Sequence, residues 1–135
     1  MIWNGKYETM GREDLAQVQI ERLQSTLNRA RRNVAFARQA FENAGVRVED
    51  VRRLADLANL PFTTRADLRA AYPYDMFAVP LRDIVRIQCT SGTTGRPVVV
   101  GYTANDVRTW SECVARVLAA GGVTEHDVVQ VAYTY

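Results

Sequence analysis

Cysteine is scarce in this chain: Cys89 and Cys113 are the only two in 135 residues. Two cysteines make no disulfide framework, and without a CxxC pair there is no zinc-ligand spacing. Both thiols are read as reduced, as in a cytosolic protein. Histidine occurs once, as His126 in Thr124-Glu125-His126-Asp127. That polar tetrapeptide predicts an exposed turn, so no histidine-based metal or proton-transfer site is expected. Long apolar runs are missing too. No stretch of 18 apolar residues exists, which excludes a predicted membrane-spanning helix. The opening MIWNGKYETMGRED has no apolar core of signal-peptide length. A strong charge of one sign is likewise absent. The formal net charge of +2 points to neither a nucleic-acid nor a membrane partner.

What is present suits a globular protein, with 47% hydrophobic and 24% charged residues, a balance that disordered chains lack. The length suffices for one domain with a core. From about Arg12, the residues Ala16, Ile20, Leu23, Leu27, Ala30, Val34, Ala37, Phe41 and Ala44 recur at alternating spacings of four and three. Such spacing lays one apolar stripe along a helix, and Gly45 is suited to end it. The same period fits a coiled coil, but alanine at Ala16, Ala30, Ala37 and Ala44 buries little area. A helix packed on its own domain is the better reading. Arg22, Arg29, Arg31, Arg32 and Arg38 lie in this stretch with no acid among them, which reads as a solvated basic face or, alternatively, a polyanion site.

The chain divides near Pro80. Residues 1–80 read as helical, with a short helix from Asp50 to Leu57 and another, capped by Thr63 or Thr64, running to Arg69–Ala71 before Pro73. Two successive short helices raise the helix–turn–helix motif, but Pro61 lies between them and the second offers only Arg65 and Arg69 as base readers. Residues 81–135 alternate between strand and helix. Ile84–Cys89 is rich in β-branched residues and reads as a strand. A glycine/threonine turn follows, then a strand at Val98–Tyr102 and a helix from Ala104 to about Ala120. That helix is capped by Thr103 with Asp106 and ended by Gly121-Gly122. Val128–Tyr135 reads as a third strand. Strand–loop–strand–helix–strand is the start of a mixed α/β sheet. The last strand is read as an uncovered edge, so the chain is expected to be part of a longer protein.

The chemistry concentrates in Thr90-Ser91-Gly92-Thr93-Thr94-Gly95-Arg96-Pro97, between the first two strands. Gly92 and Gly95 let the backbone turn tightly, and successive backbone N–H groups in such a turn can form an anion-binding concavity. Thr90, Ser91, Thr93 and Thr94 add hydroxyl donors, and Arg96 adds a permanent cation with a fork suited to phosphate. The segment is not a Walker A loop, because Arg96-Pro97 stands where Lys and Ser or Thr are required. Its residues alone leave two readings open: a phosphate loop, or a hairpin turn whose hydroxyls bond their own backbone.

TSGTTGRP resembles the phosphate-loop signature of the acyl-adenylate-forming enzymes. Its surroundings, LPFTTRADLRAAYPYDMFAVPLRDIVRIQC before it and VVVGYTANDVRTW after it, are similar to phenylacetate–CoA ligases, as are the upstream QIERLQSTLNRA and FENAGV. The resemblance runs from about Gly11 to Tyr135. Many enzymes of this kind carry Lys after the loop proline, where this chain has Val98; this subfamily often has Lys before it, where Arg96 keeps the charge. The family often has Pro at Ala35, so its replacement predicts a first helix that runs on further. The resemblance implies a helical N-terminal segment joined to the α/β sheet of an adenylate-forming ligase large domain, with 81–135 as the start of its ATP-binding subdomain. It implies a carboxylate attacking the α-phosphate of ATP, then displacement of AMP by the CoA thiol, with ATP, Mg²⁺, CoA and an aryl acid as small-molecule partners.

In that scheme Thr90, Ser91, Gly92, Thr93, Thr94, Gly95 and Arg96 grip the ATP phosphates, and Tyr135 contacts the acid. No general acid, base, nucleophile or metal ligand is identified in the chain. Cys89 beside the loop reads as a buried strand thiol, Tyr133 as a strand residue near the acid, and Trp110 as core. A cytoplasmic homo-oligomer is expected, and 135 residues by themselves are expected to be inactive. The rivals are an adenylating enzyme that loads a carrier protein, and a non-catalytic helical self-association module built on Ala16–Ala44.

Overall fold

The computed structural model describes residues 1–91 and 95–132. A single helical turn, α1 (Gly5–Glu8), precedes the long α2 (Arg12–Asn33). Glu13 and Asp14 in the first turn of α2 and Arg31 and Arg32 in its last turn each complement the partial charge of the helix end beside them. The apolar stripe buries Ile20 and Leu27. It does not continue as one helix to Ala44. Val34 takes an extended conformation (φ −117°, ψ 111°), closing α2 and opening α3 (Ala35–Asn43). The expected run-on helix is therefore corrected: alanine at 35 does not remove the break. The break keeps Val34 buried, at 4% exposure, while Asn33 Nδ2 donates to the Ala78 carbonyl across 2.8 Å. Burial and a hydrogen bond to a residue distant in sequence outweigh the helix propensity of Ala35.

A Schellman turn ends α3. The Val46 N–H donates to Phe41 O and the Gly45 N–H to Glu42 O, with Gly45 at φ 64°. The chain then turns back along α2. The short helix expected over 50–57 takes the form of two 3₁₀ turns with other bounds, Val48–Asp50 and Leu54–Asn59. Three residues per turn align i with i+3, and Val48 and Val51 are both buried at that spacing. They close the core of Ile20, Leu27 and Phe41, with Leu23, Ala37 and Leu60 packed against it. Gln24 Nε2 donates to Val51 O at 2.8 Å, and Arg31 pairs with Glu49 at 2.8 Å, fastening the returning segment to α2.

Thr64, not Thr63, caps α4 (Arg65–Ala70). Its hydroxyl accepts from the Asp67 N–H while the Asp67 carboxylate accepts from the Thr64 N–H. After a 3₁₀ turn at Leu81–Asp83 come β1 (Ile84–Cys89) and β2 (Val99–Thr103), paired antiparallel with Ile87 opposite Gly101 and Cys89 opposite Val99. Phe77 lies over this pair: a methyl group placed on Gly101 would sit 2.6 Å from the Phe77 ring. β2 leads into α5 (Ala104–Ala120), capped by Thr103 and Asp106 and closed by a second Schellman turn with Gly122 at φ 86°.

The expected third strand is corrected over its described part. Residues 128–132 form no strand, and Val128 is 99% exposed. A strand persists only when its backbone groups pair with a neighbour, and no described residue pairs with this one. Among the described residues the sheet is the two-stranded antiparallel β1–β2 pair beside the helical segment. No helix among them is long and apolar enough to cross a membrane.

Candidate functional site

β1 and β2 bring the two ends of the glycine/threonine segment together. One step beyond the Cys89–Val99 pair, the Thr90 N–H donates to Val98 O at 3.0 Å, and the Val98 N–H donates to the Thr90 hydroxyl oxygen at 3.0 Å. Val98 is buried at 8% exposure. It sits against an apolar cavity of about 260 Å³ whose lining includes Leu68, Met76 and Phe77, with Arg29 and Asp106 also lining it. This cavity is a packing seat for the strand that leaves the loop; its apolar walls do not suit a phosphate.

The described part of the loop faces outward. Thr90, Ser91, Gly95 and Arg96 are exposed, Pro97 is half-buried, and Gly95 lies at φ 127°. That backbone conformation favours glycine over any residue with a Cβ. These side chains supply hydroxyls and a guanidinium and no carboxylate, so they fit an anionic phosphate. Gly92, Thr93 and Thr94 of the loop lie outside the described residues, as do Tyr133 and Tyr135.

Other expected positions are corrected. Cys89 is exposed, not buried, because β1 is exposed from Val85 to Cys89. Trp110 is not core. It is 42% exposed and stacks on Tyr102 with ring centroids 5.5 Å apart, while the Arg86 guanidinium lies 6.0 Å from its ring centre. His126 is exposed in its turn, 3.8 Å from Glu125.

Asp106 accepts from both the N–H and the hydroxyl of Thr103, at 2.9 and 2.8 Å. Those two bonds, the backbone one foremost, and the attraction of Arg29 hold its carboxyl below the usual aspartate range. A second cluster was not legible in the sequence. Glu112 of α5 accepts from Asn4 Nδ2 at 2.6 Å and Trp3 Nε1 at 3.0 Å, and pairs with Arg116 at 3.1 Å. These donors, Asn4 first, lower the Glu112 pKa. Tyr7 is flanked by Arg22 and Arg116, 5.1 and 5.3 Å from its ring centre. Trp3 and Asn4 lie more than a hundred residues from Glu112, as Tyr7 does from Arg116, so no local pattern marks the cluster.

No family model matches the chain. It is 48% identical over 138 residues to the phenylacetate–coenzyme A ligase of Escherichia coli (strain K12), covering 100% of this chain and 32% of that protein. It is 48% identical over 128 residues to the enzyme of the same name from Pseudomonas putida, covering 95% and 29%. With the Thermus thermophilus enzyme, identity is 42% over 135 residues, covering 100% and 30%. The chain therefore spans about a third of the length of the curated relatives it matches. Among solved structures, 2-hydroxyisobutyryl–CoA ligase in complex with 2-HIB-AMP and CoA superposes with a TM-score of 0.81 at 32% identity, over 90% of this chain and 27% of that one. The same ligase in its postadenylation state gives 0.80 at 29% identity over 90% and 26%. Along its whole length this chain is similar to phenylacetate–CoA ligases, and it folds like the matching part of an acyl–CoA ligase caught with its acyl-adenylate.

Proposed function

We propose that this chain belongs to an ATP-dependent aryl-acid–CoA ligase that works through an acyl-adenylate, with phenylacetate as the acid. The observation that carries the reading is the Thr90–Arg96 segment between β1 and β2, a run of hydroxyl, glycine and guanidinium groups whose described residues Thr90, Ser91, Gly95 and Arg96 are exposed. The identity to phenylacetate–CoA ligases along the entire chain supports it. Charge that accumulates on phosphate oxygens is stabilised by donors fixed in advance. In this reading Ser91 to Arg96, entered through Thr90, hold the β- and γ-phosphates and set pyrophosphate in line as the leaving group, and Arg96 supplies the fixed positive charge. Tyr135 contacts the acid. Mg²⁺ accompanies the nucleotide and offsets its charge, and CoA accepts the acyl group. Residues 1–80 form the supporting helical region and 81–135 the start of the ATP-binding subdomain. A cytoplasmic homo-oligomer completes the proposal, supported by the free, exposed Cys89 and Cys113 and by exposed apolar residues such as Val85 and Val117.

The test is carboxylate-dependent ATP–pyrophosphate exchange by the full-length protein that carries this chain, comparing phenylacetate with benzoate, acetate and hydroxyaryl acids. Exchange driven chiefly by phenylacetate is expected, and Arg96→Ala should weaken it. Exchange with another acid alone replaces the substrate and keeps the reaction. Exchange with no acid, from a folded protein, overturns the proposal.

A further inference from the structure

We infer that Thr90 is a positioning residue, which sets the mouth of the loop through Val98 rather than by gripping phosphate. The inference rests on the ligase reading and deepens it. Both polar attachments of Thr90 cross the hairpin. Its N–H donates to Val98 O, and its hydroxyl oxygen accepts the Val98 N–H, each at 3.0 Å. Ser91 to Pro97 thus leave and re-enter the hairpin through one doubly bonded pair. The pair is anchored on one side only. Val98 is buried, whereas Cys89, Thr90 and Ser91 are exposed. The incoming side is exposed, so the hydroxyl bond and the backbone bond beside it are what tie Thr90 to the seated Val98.

A Thr90→Val change keeps the shape and removes the acceptor. The Val98 N–H, on a buried residue, then lacks its partner. The entry to the loop at Ser91 then loses its side-chain tie to Val98. Ångström-scale misplacement of binding groups lowers turnover steeply, whereas removal of a ground-state ligand raises KM.

The experiment compares Thr90→Val and Thr90→Ser in the full-length protein. Without nucleotide, amide hydrogen exchange at Val98 is read. With ATP, kcat and KM for acid-dependent ATP–pyrophosphate exchange are read. Thr90→Val should speed Val98 exchange about twofold to tenfold, as expected for loss of one net hydrogen bond. It should lower kcat by roughly tenfold to a hundredfold, with the KM for ATP changed by less than about threefold. Thr90→Ser keeps the acceptor and should restore both. Unchanged Val98 exchange in Thr90→Val, or a raised KM at unchanged kcat, overturns the inference and makes Thr90 a direct phosphate ligand. If wild type shows no acid-dependent exchange, the ligase reading itself fails, and the role in turnover falls with it even where Val98 protection depends on Thr90.

Discussion

Ile20, Leu27, Phe41, Val48 and Val51 close on one another at 8% exposure or less in the helical region, whereas Val85, Ile87, Val117 and Val128 stay 47% exposed or more in the hairpin, α5 and the segment beyond. The first region is held by apolar burial across α2, α3 and the 3₁₀ turns. The second is held mainly by directed bonds: the β1–β2 ladder, the Thr90–Val98 pair and the Thr103–Asp106 capping box. Cohesion of these two kinds fails differently. Burial is lost in proportion to the cavity left behind, and a directed bond is lost with a single atom.

The largest expected effect lies in the helical region. Phe41→Ala should cost about 3–5 kcal/mol, because it opens a void against Val48 and Val51. Urea unfolding followed by far-ultraviolet dichroism measures it. A cost below about 1 kcal/mol would erase the contrast between the regions, since it is the level of an ordinary surface change.

Thr103→Ala comes next, at about 1 kcal/mol for a lost helix cap. Its pH dependence separates the cap from simple packing. The folded Asp106 pKa is depressed, chiefly by the Thr103 N–H and hydroxyl. A depressed folded value means that the stabilisation is fully present above the unfolded aspartate value of about 3.9 and fades as pH falls through the folded one. Thermal unfolding across that acid range should therefore fall less steeply in the variant than in wild type. Equal slopes would show that the Thr103 hydroxyl adds nothing to the hold of its N–H on the carboxylate.

The smallest effect belongs to the open apolar face. Val117, 71% exposed, should tolerate serine within about 0.5 kcal/mol. A larger, concentration-dependent loss in the 135-residue chain would reveal a second copy covering α5, and would remove half of the comparison.

Legibility in the sequence followed the reach of the interactions. β1 was readable end to end at Ile84–Cys89 from a β-branched run, and α5 at Ala104–Ala120 from Thr103, Asp106 and the glycine pair after it. Those signals act within four residues. The Val34 break, the 3₁₀ turns and the Trp3–Asn4–Glu112 cluster were not readable, because each depends on a distant partner: the Ala78 carbonyl for Asn33, α2 for Val48 and Val51, α5 for the N-terminus. The exposure of Cys89 and Trp110 was misjudged for a related reason. Apolar type predicts burial only where a covering element exists. At the loop, the donors and the cation were legible as residue types, while the bonding of Thr90 to Val98 emerged only once the hairpin register was known.

By itself the sequence determined α4, β1, β2 and α5 with the caps of the two helices, and the residue types of Thr90 to Arg96 on which the proposed phosphate chemistry rests. Each of these is set by neighbours along the chain. The tertiary structure alone decided where α2 breaks, which apolar residues find a core, and that Thr90 faces Val98 across the loop. Those outcomes depend on groups brought together through space, and hydrogen bonds and buried contacts extend only a few ångströms from the atoms that make them.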